Sequence, residues 1–150
     1  MELIVWNKKH ALPITSKDMI TRQYEDILLL GDEESISADM DLLWLGTTEK
    51  RGYFNRINGK GITNYWEIGT NQSQLDNHKA CFPVKLPVKA ISLTTNKGDI
   101  VMDCFGGSGT TLIASEQLGR KCRIMEYDPK YCDVIIARWE KLTGKQAIKV

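Results

Sequence analysis

The 150-residue sequence has no strong charge of either sign, no long apolar run and no cysteine pair at metal-site spacing. Each absence excludes something. Twenty Lys and Arg against 19 Asp and Glu leave a formal charge of +1, so no overall basic field advertises nucleic acid, and contact with DNA must come from local clusters. No stretch approaches the roughly 18 apolar residues of a membrane-spanning helix. No basic, apolar and cleavable segment opens the chain as a secretory leader would. Cys81, Cys104, Cys122 and Cys132 form no C-x-x-C pair, which points to reduced thiols in a cytoplasm and to no metal site. Proline is sparse, with Pro13, Pro83, Pro87 and Pro129 all isolated. At 42% hydrophobic and 26% charged residues, the composition fits one soluble globular domain over 1–150 with a modest core.

Apolar runs at Leu3 to Trp6 and Tyr24 to Leu30 read as strands, the second closed by Gly31. Residues 32–77 differ in character. They mix acidic and basic clusters with glycines at 52, 59 and 61 and one short strand-like stretch, Tyr65 to Ile68, so they read as a loop-rich insert. The chain then becomes regular. Pro87 opens a short helix, Gly98 closes it, and Asp99 to Asp103 is a buried strand. A glycine-rich turn leads to a helix over 109–118, a strand from Lys121 to Glu126, and a helix capped by Asp128 with Pro129 at its first position. In that helix Tyr131, Val134, Ile135, Arg138, Trp139 and Leu142 share one stripe, and Gly144 suits the C′ position. Ala147 to Val150 is expected to form a final edge strand. The order of elements is the beginning of a doubly wound α/β sheet.

The turn Asp103-Cys104-Phe105-Gly106-Gly107-Ser108-Gly109-Thr110-Thr111 falls between the carboxyl end of a strand and the amino end of a helix, where such sheets bind ligands. Glycines allow close backbone approach, and the first N–H groups of the helix favour an anion. A nicotinamide pyrophosphate and an amino-acid carboxylate would both suit that. The spacing departs from G-x-G-x-x-G, however, and Asp103 offers a carboxylate to an ammonium group. Carboxylate plus ammonium is an amino acid, and methionine is the amino-acid part of S-adenosylmethionine. Glu126 lies 19 positions after Gly107 (126 minus 107), close to the ~20 expected of a carboxylate that binds ribose hydroxyls.

Asp103 to Thr111 resembles the D-P-F-x-G-S-G-T-T motif of amino-group DNA methyltransferases at every fixed position except Cys104, where the family usually has proline. Gly119-Arg120, Glu126-Tyr127-Asp128-Pro129 and Tyr131 are similar to its continuation. His78 to Pro83 resembles a segment that wraps the cofactor, with Lys79 in place of a proline. Leu3 to Lys8 and Arg22 to Leu29 look like the family's W-x-K and Y-E elements, and the order of these parts is that of its β group. The resemblance implies a Rossmann-like three-layer α/β methyltransferase fold. It implies S-adenosylmethionine as cofactor, held by Asp103, Phe105, Gly106, Gly107, Ser108, Gly109, Thr110 and Glu126, with His78, Phe82 and Pro83 as a second wall. DNA is the implied partner, and restriction-modification the implied setting. The insert lies where the family keeps its target-recognition segment, which makes Lys50, Arg51, Arg56 and Lys60 candidates for phosphate contact. Adenine-N6 is favoured over cytosine-N4 as the methylated position.

Plainer readings stand beside these. The glycines can serve a tight turn alone, His78 can be a surface histidine, and the basic cluster a solvated loop. Trp6, Trp44, Trp66 and Trp139 read as core, and the cysteines as small apolar fillers.

One family element is missing. Amino methylation uses a (D/N/S)-P-P-(Y/F/W) tetrapeptide to orient and stack the flipped base, and no such sequence occurs here. In β-group order it precedes the W-x-K strand. The expectation is therefore a sheet incomplete at its centre, between the Asp99 to Asp103 and Leu3 to Trp6 strands, in a truncated or split enzyme inactive alone. Self-association, or a second chain that supplies the missing strand, would complete it. The alternative is a non-catalytic DNA- or protein-binding module on the same scaffold.

Overall fold

The computed structural model describes residues 1–9, 23–31, 63–70 and 82–150. Five strands and three helices fall within them: β1 (Glu2–Asn7), β2 (Tyr24–Leu29), β3 (Tyr65–Glu67), α1 (Lys85–Thr94), β4 (Ile100–Asp103), α2 (Thr110–Gln117), β5 (Lys121–Ile124) and α3 (Pro129–Thr143). The strands form two sheets, one ordered β2-β1-β3 and the other β4-β5.

In the first sheet β1 runs antiparallel to β2, with Ile4 opposite Ile27, and parallel to β3, with Trp6 opposite Trp66. Strand alternation sends Ile4 and Trp6 to one face, where they are buried with Trp66 and with Leu86 of α1. Each buried indole has an acceptor. Trp6 donates to the Ile68 carbonyl at 2.7 Å, and Trp66 to that of Thr63 at 2.9 Å. The core reading of these two tryptophans therefore agrees with the structure.

α1 has apolar stripes on two sides. Leu86, Ala90 and Leu93 pack on the first sheet, whereas Val84, Val88 and Ile91 pack with Ala114 of α2 and its C-cap Leu118. The two sets share the spacing i, i+4, i+7 but are offset by two residues, or roughly 200° of helix rotation. α1 is thus the keel between the first sheet and the β4-α2-β5 unit. It begins at Lys85, earlier than Pro87 suggests. Proline is tolerated there because a first-turn N–H needs no intrahelical acceptor.

The β4-α2-β5 unit is parallel, with Ile100 opposite Lys121 and Asp103 opposite Ile124. The buried guanidinium of Arg120 joins the helix ends behind it, donating to Thr95 Oγ1 at 3.1 Å, the Thr95 carbonyl at 2.8 Å and the Leu118 carbonyl at 2.5 Å.

Three expectations are corrected. The strand read as buried exposes Ile100 and Met102, because α2 covers one face of the pair only. Ala147 to Val150 forms no strand. Among the described strands the sheet is divided in two, but β1 is not at the division: it is flanked on both sides, by β2 and by β3.

Candidate functional site

The glycine turn is laced to the end of β5. Met125 N–H donates to the Asp103 carbonyl at 2.9 Å and Gly106 N–H to that of Met125 at 2.8 Å. Gly106 must be glycine for packing reasons, since a Cβ there would lie 2.7 Å from Ile124 Cγ1 and 3.1 Å from the Met125 carbonyl oxygen. Gly107 differs. Its φ is +52°, and a Cβ added there would meet nothing nearer than the Phe105 carbonyl oxygen at 4.0 Å, so glycine is favoured by the left-handed backbone and not by crowding. Gly109, at φ +78°, is the N-cap of α2 and would press a Cβ against Ile135 of α3 at 3.0 Å.

Two carboxylates flank this turn. Asp103 ends β4, and its Oδ1 accepts from Phe105 N–H at 2.9 Å. Glu126 follows β5, and each of its oxygens is oriented by a backbone donor: Oε2 by Gly107 N–H at 2.6 Å, Oε1 by Asp128 N–H at 2.9 Å. Asp128 in turn caps α3 by accepting from Lys130 N–H at 2.9 Å, with Pro129 behind it as the sequence suggested. Phe105 and Tyr127, at the carboxyl ends of the two strands, are 90% and 100% exposed, leaving an open, aromatic-edged mouth. Phe82 is exposed and Pro83 partly buried at the entrance to α1.

Ser108 and Thr110 are each only 5% exposed, with their hydroxyl oxygens 3.3 Å apart. What their side chains contribute here is bracing of the turn from below. Arg138 completes it. Its Nη1 donates to the Ser108 carbonyl and, at 3.0 Å, to Ser108 Oγ. The helical stripe gave Arg138 only a packing role, and no local motif signalled this contact across 30 residues. Beneath β5, burial pushes the Cys122 thiol up, and the Asp103 carboxylate adds to the rise, against a hydrogen bond with Ser115. Cys104 is exposed and free.

His78, Cys81, Trp44, Lys50, Arg51, Arg56 and Lys60 lie outside the described residues. Of the 32–77 insert, only 63–70 is described, and it supplies β3. Among the described residues no cluster of His, Cys, Asp and Glu could hold a metal, and no helix is long and apolar enough to cross a membrane.

A parallel βαβ unit with a glycine turn and two strand-end carboxylates is the arrangement found at the ligand-binding end of Rossmann-like sheets. Comparison with known proteins makes this specific. The DNA methylase family model for N6 and N4 methyltransferases matches residues 1–138, and the chain belongs to that family. It is 33% identical over 138 residues to the type II methyltransferase M.Cfr9I of Citrobacter freundii, covering 90% of this chain and 42% of that protein. With M.BamHI of Bacillus amyloliquefaciens it shares 39% identity over 105 residues, or 63% of this chain and 24% of the relative. The chain therefore spans less than half the length of these curated relatives. In structure it resembles an M1.HpyAVI–SAM complex, with TM-score 0.60 and 24% identity over 92% of this chain and 61% of the other. The cytosine-N4-specific PvuII DNA methyltransferase gives TM-score 0.65 and 21% identity over 95% of this chain and 54% of the other. These likenesses establish a methyltransferase fold.

Proposed function

We propose that this chain is the S-adenosylmethionine-binding portion of a DNA amino-methyltransferase. The observation that carries the reading is the pairing of Asp103 and Glu126 at adjacent strand ends around Gly107, where the space a side chain would take is open. The residues fit the cofactor by charge. Asp103 suits its ammonium group, the first N–H groups of α2, from Thr110 onward, suit its carboxylate, and the held carboxylate of Glu126 suits its ribose hydroxyls. Phe105, exposed beside the turn, and Phe82, Pro83 and His78 are proposed as its walls. When bound, the cofactor supplies an electrophilic methyl group.

The residues of this chain hold and orient that donor. Transfer needs a second part, because an exocyclic amine has its lone pair delocalised into the ring and must be flipped out and positioned. The 150 residues contain no D-P-P-Y-type tetrapeptide to do so, so transfer requires such a segment from elsewhere. The acceptor is an adenine-N6 or cytosine-N4 amine. The sequence pattern favours adenine, whereas the cytosine-N4 specificity named for the PvuII neighbour favours the other, so both substrates belong in the assay. Lys50, Arg51, Arg56 and Lys60 are proposed to touch DNA phosphates.

Isothermal titration with S-adenosylhomocysteine tests the cofactor reading, and labelled-methyl transfer to duplex DNA tests the chemistry. The chain should bind the product alone and transfer methyl groups only when a D-P-P-Y-bearing segment is added in trans. Absence of binding would overturn the cofactor site. Transfer by the 150 residues unaided would overturn the need for a second part.

A further inference from the structure

The helix α3 reaches both ends of the proposed cofactor site. Its N-cap residue Asp128 donates its N–H to Glu126 Oε1, and in its first turn Cys132 Sγ approaches the Glu126 carbonyl at 3.6 Å. Ten residues beyond Asp128, roughly 15 Å along the helix, the Arg138 guanidinium holds Ser108 by its carbonyl and its hydroxyl. Between them Ile135, buried, packs against the Gly109 backbone. One rigid helix therefore ties the ribose carboxylate to the glycine turn.

We propose that Arg138 is a positioning residue for the amino-acid end of the cofactor, acting through Ser108. This rests on the cofactor reading above. The carbonyl that Arg138 holds belongs to the peptide between Ser108 and Gly109, and its orientation sets where the left-handed Gly109 starts α2. The N–H groups of that start are the ones offered to the ligand carboxylate. The guanidinium also brings a positive charge beneath the turn, which favours an anionic ligand group. Both bonds come from the one Nη1 nitrogen, and arginine suits the task because the two hydrogens of that nitrogen are fixed in the guanidinium plane, whereas an ammonium group is a rotating point donor. The clamp grips Ser108, whereas the ribose carboxylate of Glu126 is oriented by Gly107 N–H and Asp128 N–H, so a ligand that has only the nucleoside half should depend on it less.

The test compares S-adenosylhomocysteine with 5′-methylthioadenosine, which lacks the amino-acid end, by calorimetric titration of Arg138→Met, Arg138→Lys and Ser108→Ala. Amide hydrogen exchange at residues 106–110 is measured without ligand. Arg138→Met should weaken S-adenosylhomocysteine about tenfold or more and leave methylthioadenosine within about twofold of the unsubstituted chain. Arg138→Lys should recover part of the loss, and Ser108→Ala should lose less because the carbonyl contact survives. Exchange at the turn should quicken in Arg138→Met while β4 and β5 keep their protection. Equal losses for both ligands together with a lower melting temperature would reduce Arg138 to a structural residue and overturn the inference, as would unchanged binding of S-adenosylhomocysteine. If the unsubstituted chain binds neither ligand, the cofactor reading itself fails.

Discussion

Glu126 is braced by two backbone donors, and this makes its isosteric replacement unusually informative. Gly107 N–H reaches Oε2 at 2.6 Å and Asp128 N–H reaches Oε1 at 2.9 Å, so both oxygens of the side chain must accept. Glutamine has one accepting oxygen and turns an NH₂ group toward the other donor. Glu126→Gln should therefore lose one bond and set two donors against each other, while Glu126→Ala loses both. A hydrogen bond to a charged group is worth about 1.5–3 kcal/mol, but water can reach this half-buried position. The lower end applies, at roughly 2–3 kcal/mol for alanine and about half that for glutamine. At about 2–4 °C per kcal/mol in a chain of this size, alanine should lower the melting temperature by roughly 4–12 °C. Ligand-free thermal unfolding reads this directly, and titration with S-adenosylhomocysteine should show a further loss of at least about tenfold in affinity. A glutamine variant as stable as the unsubstituted chain would refute the two-donor geometry. Unchanged affinity in the alanine variant would remove Glu126 from the ribose site.

Gly106→Ala should destabilise by about 1–3 kcal/mol through overpacking against Ile124, whereas Gly107→Ala, with room for its Cβ, should cost only about 1 kcal/mol for its left-handed backbone; equal losses in urea unfolding would contradict the distinction. Iodoacetamide should label exposed Cys104 well before Cys122, whose half-buried thiol is pushed up by desolvation and so forms the reactive thiolate only at higher pH. Peptide mass spectrometry over a pH series checks it, and the reverse order would show that the β5 face is open. If Lys50, Arg51, Arg56 and Lys60 touch DNA, duplex binding should fall with salt, and each Ala substitution should reduce the log-log slope by about 0.9. No binding at low ionic strength would return these residues to a solvated loop.

The second half of the chain was legible because its signals are local. Asp128-Pro129 marks a helix start through an N-cap bond and a proline where no N–H is needed, and Gly144 marks the end by adopting φ +68°. The turn was legible as a candidate site because its glycine spacing and acids lie close together in sequence. What escaped depends on distant packing. The two-sided character of α1 shows only when the first sheet and α2 are placed on opposite faces of it. Arg120 and Arg138 looked like a motif letter and a stripe filler, yet both hold carbonyl groups across 25 and 30 residues respectively. The terminal strand failed for the opposite reason: Ala147 to Val150 has the local composition of an edge strand but pairs with nothing in regular structure.

The exposure of β4 explains why helix-borne contacts matter so much at this turn. In a doubly wound sheet, parallel strands are covered on both faces and gain stiffness from paired neighbours. Here β4 and β5 pair with each other alone among the described strands, and Ile100 and Met102 stand in the open beside exposed Lys121 and Arg123. The two-stranded ladder reaches the turn only at its start, through Gly106 N–H on the Met125 carbonyl. Beyond that the fixing comes from the helix side, with Ile135 against Gly109, Arg138 on Ser108, and Glu126 between Gly107 and Asp128. Each of these reaches α3 or the segment leading into it. Substitutions that loosen α3 without touching the turn, such as Ile135→Ala at its one fully buried position, should therefore weaken cofactor binding as well as stability. The sheet side should matter less, so Met102→Ala, on the open face, should leave both nearly unchanged when melting temperature and S-adenosylhomocysteine affinity are measured together. If Met102→Ala lost as much as Ile135→Ala, the turn would be held by something packed on the open face of β4, and α3 would not be its support.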